Sequence, residues 1–175
     1  MVIPVQVKPR GARSGLARAV HRAMAGVDPP MFAVTTSVDG VRAGCLVGFL
    51  TQCAANPVRY LVCLANVNHT ARVAARADLL AVHALGQEQH GLAALFATTT
   101  GDCIDKFAHC GWTAGPAGLP ILTGCANWFV GRIADRHDLG DHTGLVLDPI
   151  AAGPGDPTQE PLRHSAVREF IPGHG

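Results

Sequence analysis

MFAVTTSVDGVRAGCLVGFLTQCA, residues 31–54, is the stretch that decides the fold. Its first eight residues are rich in β-branched and apolar side chains and stop at Asp39-Gly40, a dipeptide whose backbone suits the tight turn of an antiparallel hairpin. The return strand, residues 41–54, carries Gly44 and Gly48. Glycine inside a strand either bends the sheet at a corner or lets a ligand lie against the backbone.

Reading outward, YLVCLA (60–65) follows Asn56-Pro57 as a buried strand too short for a helix. Asn68 or Thr70 then caps a helix over 69–77. LLAVHAL (79–85) is a strand, QEQHGLAALFA (87–97) a short helix, and 102–109 another short helix before the GWTAGPAGLP loop (111–120). CANWFVGRIADRHD (125–138) and HTGLVLDPIAA (142–152) flank Leu139-Gly140-Asp141 as a second hairpin. Upstream, an arm of ten residues leads to a helix capped by Ser14, with Leu16, Val20 and Met24 on one face and Gly26 at its end. Downstream of Gly153, four prolines imply extended or mobile chain. Residues 1–27 are thus an arm and helix, 28–152 the folded domain and 153–175 a tail. About six strands with short helices between them, and no βαβ alternation, predict a mainly β fold, a Greek-key-type antiparallel barrel.

The 175 residues suffice for one domain with a real core. Only 15% are charged against 48% hydrophobic, a low charge density that burial of surface between two subunits would relieve. The net charge of +1 gives no footprint for nucleic acid or an anionic membrane. No apolar run reaches the length of a membrane span. Cysteines at 45, 53, 63, 103, 110 and 125 form no CxxC pair, so no metal site is expected, and they read as reduced thiols of a cytoplasmic protein. Neither GxGxxG nor GxxxxGK[ST] occurs, which disfavours a Rossmann or P-loop nucleotide site.

Three places could carry chemistry. AGCLVGFLTQCA (43–54) could receive a planar cofactor, or its glycines could simply turn a barrel corner. Asn66-Val67-Asn68-His69-Thr70 brings polar side chains and helix amides together, with Arg72 nearby, and reads either as an anion site or as an ordinary capped helix. Gly140-Asp141-His142-Thr143 sets a histidine at a hairpin mouth with a carboxylate to orient it, or is a turn with no chemical role.

GCLVGFLTQ (44–52), NHT (68–70), DKF (105–107) and GDHTG (140–144) occur in the order and spacing of the flavin reductase-like split-barrel proteins, which the chain resembles over roughly residues 28–152. The resemblance implies an FMN-binding split barrel, with FMN or FAD between the subunits of a homodimer and NADH or NADPH as reductant. It implies that Gly44, Cys45, Leu46, Gly48 and Phe49 border the ring and ribityl chain, and that Cys63, Leu64 and Ala65 line the next edge. It further implies that His69 and Thr70 meet the phosphate, Phe96 lies against the cofactor and Lys106 sits near its entrance. His142, with Asp141 behind it, falls on the nicotinamide side. The activity implied is NAD(P)H-dependent flavin reduction that supplies a monooxygenase; the alternatives are a tightly flavin-bound carrier or sensor, or a split barrel using deazaflavin or haem. The family's small hydroxyl residues are missing at Leu46, Gly48 and Phe49, and only Arg168-Glu169-Phe170 could stand for its closing C-terminal segment.

Overall fold

The computed structural model describes residues 10–173. Strands β1 (Phe32–Val38) and β2 (Val41–Val47) form the expected hairpin around Asp39-Gly40, both at positive φ. The strand expected over 41–54 is in fact two, because at Gly48-Phe49 the chain leaves β1 and β3 (Leu50–Ala55) pairs with β4 (Val58–Ala65). Glycine at this corner lets one continuous segment serve two edges. Helix α2 (His69–Ala74), β5 (Leu79–Ala84), α3 (His90–Thr98), the short strands β6 (Trp112–Ala114) and β7 (Pro120–Leu122), and the long hairpin β8 (Trp128–Asp138) and β9 (His142–Ala152) complete the body.

Seven strands form one antiparallel sheet in the order β2-β1-β5-β8-β9-β4-β3. Its two edge strands, β2 and β3, are consecutive in the chain, and Phe49 O accepts from Cys63 N at 2.9 Å, so the sheet curls into a barrel that is split between them. The two-residue period of the strands sorts side chains between two cores. Val34, Cys45, Val47, Val62, Leu64, Val82, Leu145 and Leu147 fill the barrel. Met31, Ala33, Leu85, Phe96, Phe107, Leu122, Leu162 and Val167 fill the layer outside it, where α3 lies on the sheet.

Four further expectations need correction. Ser14 does not cap the first helix, because α1 (Arg10–Ala23) starts a turn earlier. The helix expected over 102–109 reduces to a single 3-10 turn at Lys106–Ala108, capped by Asp105; its consecutive Lys106 and Phe107 are both buried, which one helix face cannot achieve. The loop 111–120 contributes β6 and the first residue of β7 to a small hairpin, since Leu119 and Ile121 bury themselves against Ala81 and Val130. The C-terminal segment is docked through residue 173, not free: Met31 N donates to Leu162 O at 2.8 Å, Leu162 N to Leu85 O at 2.7 Å, and Leu162 and Val167 are buried. The arm ahead of Arg10 lies outside the described residues.

Candidate functional site

The chain's polar candidates stand on the rim of the split barrel, where β4 ends. Ala65 pairs with His142 across the β4–β9 ladder, and Asn66 N donates to Asp141 O at 2.9 Å. The turn of the β8–β9 hairpin is closed by Gly140 at φ 97° and by Asp138, whose carboxylate accepts from Gly140 N at 2.8 Å. His142 Nδ1 stands 2.8 Å from Asp141 Oδ1. A carboxylate oxygen can only accept, so Nδ1 carries the hydrogen and Nε2 is left to meet a ligand. That hydrogen bond also holds the Asp141 carboxyl below the usual carboxylate range. Phe49, 64% exposed, lies with its ring centroid 5.4 Å from that of His142. Two segments separated by some ninety residues in the sequence, the β2–β3 corner and the second hairpin, thus meet.

A second group stands at the start of α2. Asn68 is its N-cap, accepting from Thr70 N at 3.1 Å. The Thr70 side chain is buried, and its hydroxyl is the single buried side-chain polar atom without a hydrogen-bond partner among the described residues. That hydroxyl stands against the Cys45 thiol on the barrel-core side, not open to the rim. His69 Nδ1 stands 2.9 Å from Asp102 Oδ1, while Arg72 Nη2 donates to both Asp102 oxygens at 2.5 and 2.6 Å and Thr100 Oγ1 donates at 3.0 Å. These donors hold the Asp102 carboxyl far below its ordinary value, the Arg72 hydrogen bond foremost. One carboxylate therefore sits in a cradle of two basic side chains and a hydroxyl. His69 and Arg72 are neighbours three apart on α2, but nothing in the sequence spacing joins them to Asp102; only the folded loop after α3 brings it to them.

Between the two groups runs the outer face of β2, which carries Gly44 and Leu46 at alternate positions and leads into the corner at Gly48. A cavity of about 190 Å³ is bounded by Met31, Leu46, Asn68, Phe96, Val167 and Phe170. Another, of about 340 Å³, opens beside Gly44, His69, Asp102 and Lys106. At Gly48 an added Cβ would lie 3.4 Å from Met31 Sδ, in ordinary contact, so the backbone there is approachable.

The structure departs from the sequence reading at five residues. Gly44 has no side-chain space to offer a ligand: an added Cβ would stand 2.5 Å from Phe96 Cε1 and 2.8 Å from Val34 O, so the missing side chain makes room for Phe96, and only its backbone borders the larger cavity. Phe96 itself is 1% exposed, edge-on to Phe107, a core residue that presents no more than an edge to the smaller cavity. Lys106 is not at an entrance but buried, its Nζ donating to Gly44 O at 2.8 Å and to Phe96 O at 3.4 Å, and desolvation lowers its pKa. Cys45 and Leu64 point into the barrel core, where burial pushes the Cys45 thiol up to about 11; only their backbones can face a cofactor. Leu46, Cys63, Ala65 and His69 are half-buried and remain on the rim.

Residues 24–168 match the family model of the flavin reductase like domain. Among similar proteins, FMN reductase (NADH) RutF 2 of Methylorubrum extorquens (strain PA1) is 34% identical over 131 residues, 74% of this chain and 75% of that one. The reductase subunit HsaB of a flavin-dependent monooxygenase from Rhodococcus jostii (strain RHA1) is 31% identical over 109 residues, 62% of this chain but only 54% of HsaB. The solved structure of the NADH:FAD oxidoreductase SgcE6 of Streptomyces globisporus C-1027 superposes with a TM-score of 0.75 over 91% of this chain and 92% of that one, at 21% identity, a likeness of fold. With a barrel split at Gly48-Phe49, a histidine-bearing hairpin at the rim and a match over most of its length, the chain belongs to the flavin reductase like domain family.

Proposed function

We propose that the protein is an NAD(P)H:flavin oxidoreductase that reduces FMN, or FAD, and passes the reduced flavin to a monooxygenase. The observation that carries this reading is the 34% identity to an FMN reductase (NADH) over three-quarters of both chains. The rim supports it. The basic His69 and Arg72 at the start of α2 suit a flavin phosphate, and the open backbone at Gly48 suits the ring. The flavin, when bound, accepts the hydride from the nicotinamide. The protein's share is positional. Phe49 and Leu46 give the ring an apolar bed, and Asp141 fixes the His142 tautomer so that Nε2 is presented to the reductant. The Asn66 side chain ties the end of β4 to the β8–β9 hairpin by donating to Gly140 O at 2.9 Å and accepting from Thr143 Oγ1 at 2.7 Å. We place the protein in the cytoplasm as a homodimer; a second subunit would cover the exposed Phe49 beside His142 and supply the wall that the shallow rim lacks.

A second reading is favoured by one feature: Leu46 and Gly48 offer no side-chain hydrogen bond to a ring, which suits a carrier or sensor with poor nicotinamide turnover. Absorption spectroscopy with added FMN, followed by NADH and NADPH, separates the two. Flavin bands that bleach with one nicotinamide support the reductase and name its donor. Bound flavin that does not bleach supports the carrier, and absence of flavin binding refutes both.

A further inference from the structure

The smaller cavity beside β2 is built from three parts of the chain that lie far apart in sequence. The sheet contributes Met31 and Leu46, α3 contributes Phe96, and the C-terminal segment contributes Val167 and Phe170. At about 190 Å³ the cavity is almost wholly apolar in its lining. Its polar neighbours are His164 and Asn68, whose side-chain oxygen is already committed to Thr70 N. The cavity also adjoins the corner where the sheet splits. Met31, one of its walls, places Sδ 3.4 Å from where a Cβ on Gly48 would stand. A ligand lying on the Gly48 backbone therefore has this apolar space at its edge.

The wall supplied by the C-terminal segment is fixed on both sides of Phe170. Upstream, Leu162 N donates to Leu85 O at 2.7 Å, and the Asp28 carboxylate accepts from Ser165 N at 2.8 Å and from Ser165 Oγ at 2.6 Å. Downstream, Gly173 N donates to Ala97 O at 3.1 Å. Between these anchors Phe170 N donates to Val167 O at 3.0 Å. The Phe170 ring stands edge-on to His90, 5.1 Å between centroids, and His90 Nε2 lies 3.1 Å from Ala166 O. A ligand entering the cavity meets a wall already in place and does not have to order it.

The two edges of an isoalloxazine differ in chemistry. The pyrimidine edge carries carbonyls and an N–H; the dimethylbenzene edge carries no hydrogen-bonding group. Burying the first among Met31, Leu46, Val167 and Phe170 would strand its polar groups, whereas burying the second removes apolar surface from water. Size agrees, since a cavity of about 150 Å³ with aliphatic and aromatic walls accepts a benzene ring. We propose that the dimethylbenzene edge of the flavin enters this cavity from the Gly48 corner, and that Phe170 and Val167 limit the substituents allowed at ring positions 7 and 8. The C-terminal segment is then a specificity wall of the flavin site. The inference rests on the flavin reading of the preceding section and deepens it. Shape supplies the hold on the ring that Leu46 and Gly48 do not supply by side-chain hydrogen bonds, and the polar edge is left outside the cavity.

The test uses the full chain and compares FMN with two analogues altered only at the benzene edge. One is 7,8-didemethyl-FMN; the other is roseoflavin mononucleotide, whose 8-dimethylamino group is bulkier than methyl. Dissociation constants are read by difference absorbance, with no turnover required. Wild type is expected to bind the didemethyl compound about tenfold more weakly than FMN, because two methyl groups lose their burial. It is expected to bind the dimethylamino compound about tenfold or more weakly, because extra atoms crowd a filled cavity. Phe170→Ala opens the wall: FMN weakens severalfold, and the handicap of the dimethylamino compound shrinks to about threefold or less. Phe170→Leu keeps an apolar side chain in the segment, gives an intermediate pattern, and decides the matter if the alanine variant does not fold. Equal affinity of wild type for all three ligands overturns the proposal. So does a folded Phe170 variant that weakens all three by the same factor, the mark of a purely structural role. FMN binding without discrimination refutes this proposal alone, whereas wild type that binds no FMN refutes the flavin reading and the proposal with it.

Discussion

Gly44 in β2 and Gly48 at the corner after it stand four residues apart, and the structure assigns them opposite roles that alanine substitution separates. At Gly44 a new methyl would lie 2.5 Å from Phe96 Cε1 and 2.8 Å from Val34 O. Neither neighbour can yield cheaply. Val34 O belongs to the paired β1 backbone, and Phe96 is 1% exposed, wedged against Phe107 at 5.9 Å between centroids and beneath the Lys106 ammonium at 5.5 Å. Overpacking of this kind costs about 2–3 kcal/mol, and in a chain of this size each kcal/mol lowers Tm by about 2–4 °C, so Gly44→Ala melts about 5–10 °C early. At Gly48 the new methyl meets only the flexible end of Met31, at 3.4 and 3.6 Å, so Gly48→Ala holds its Tm to within about 2 °C. If the backbone at Gly48 is where the ring approaches, the same substitution weakens FMN binding about tenfold, equivalent to about 1.4 kcal/mol. Thermal melts and fluorescence titration with FMN read both effects. A Gly44→Ala protein that melts like wild type yet loses FMN would refute the packing argument and restore Gly44 as a point of cofactor approach.

Three further outcomes are expected. His142→Ala slows NAD(P)H oxidation by about tenfold or more while changing FMN affinity less than about threefold, read by steady-state kinetics beside flavin titration; equal losses would remove His142 from the reductant side. Asp102→Asn releases His69 and Arg72 from their carboxylate and so tightens FMN binding severalfold without affecting riboflavin, which lacks the phosphate; equal response of the two ligands would show that the cradle does not hold phosphate. His83 is fully buried between Ala33 O, 3.1 Å from Nδ1, and Leu122 N, which donates to Nε2 at 3.1 Å, and burial lowers its pKa to about 4. The folded chain therefore resists protonation that the unfolded chain accepts near pH 6.5. The stability this gives is whole above pH 6.5 and lost as pH falls through about 4, a loss of about 3 kcal/mol. Urea denaturation across that window should show the loss in wild type and its absence in His83→Gln.

What the sequence made legible, and what it hid, divides along a physical line. Features written in adjacent residues were readable: Asp39-Gly40 fixes the first hairpin, Asn68 caps α2 two residues before the amide it binds, and the β8–β9 turn places Asp141 next to His142. Features that depend on which face of an element is already occupied were not. Glycine at 44 and at 48 looks the same in sequence, yet one accommodates a phenylalanine from α3, fifty-two residues on, and the other leaves its backbone approachable. Lys106 in the Asp-Lys-Phe step has the charge of an entrance residue, but its neighbour Phe107 anchors the turn in the outer core and takes the lysine inside with it, where its ammonium caps the Gly44 and Phe96 carbonyls. Asp102 had no local signal, because its value lies in reaching back thirty residues to Arg72. The same reasoning explains why α1 was legible as an amphipathic helix while its purpose was not. Period and charge specify the two faces of a helix from its own residues; what covers the apolar face is specified by another surface, of which Leu16, Val20 and Met24 carry no record.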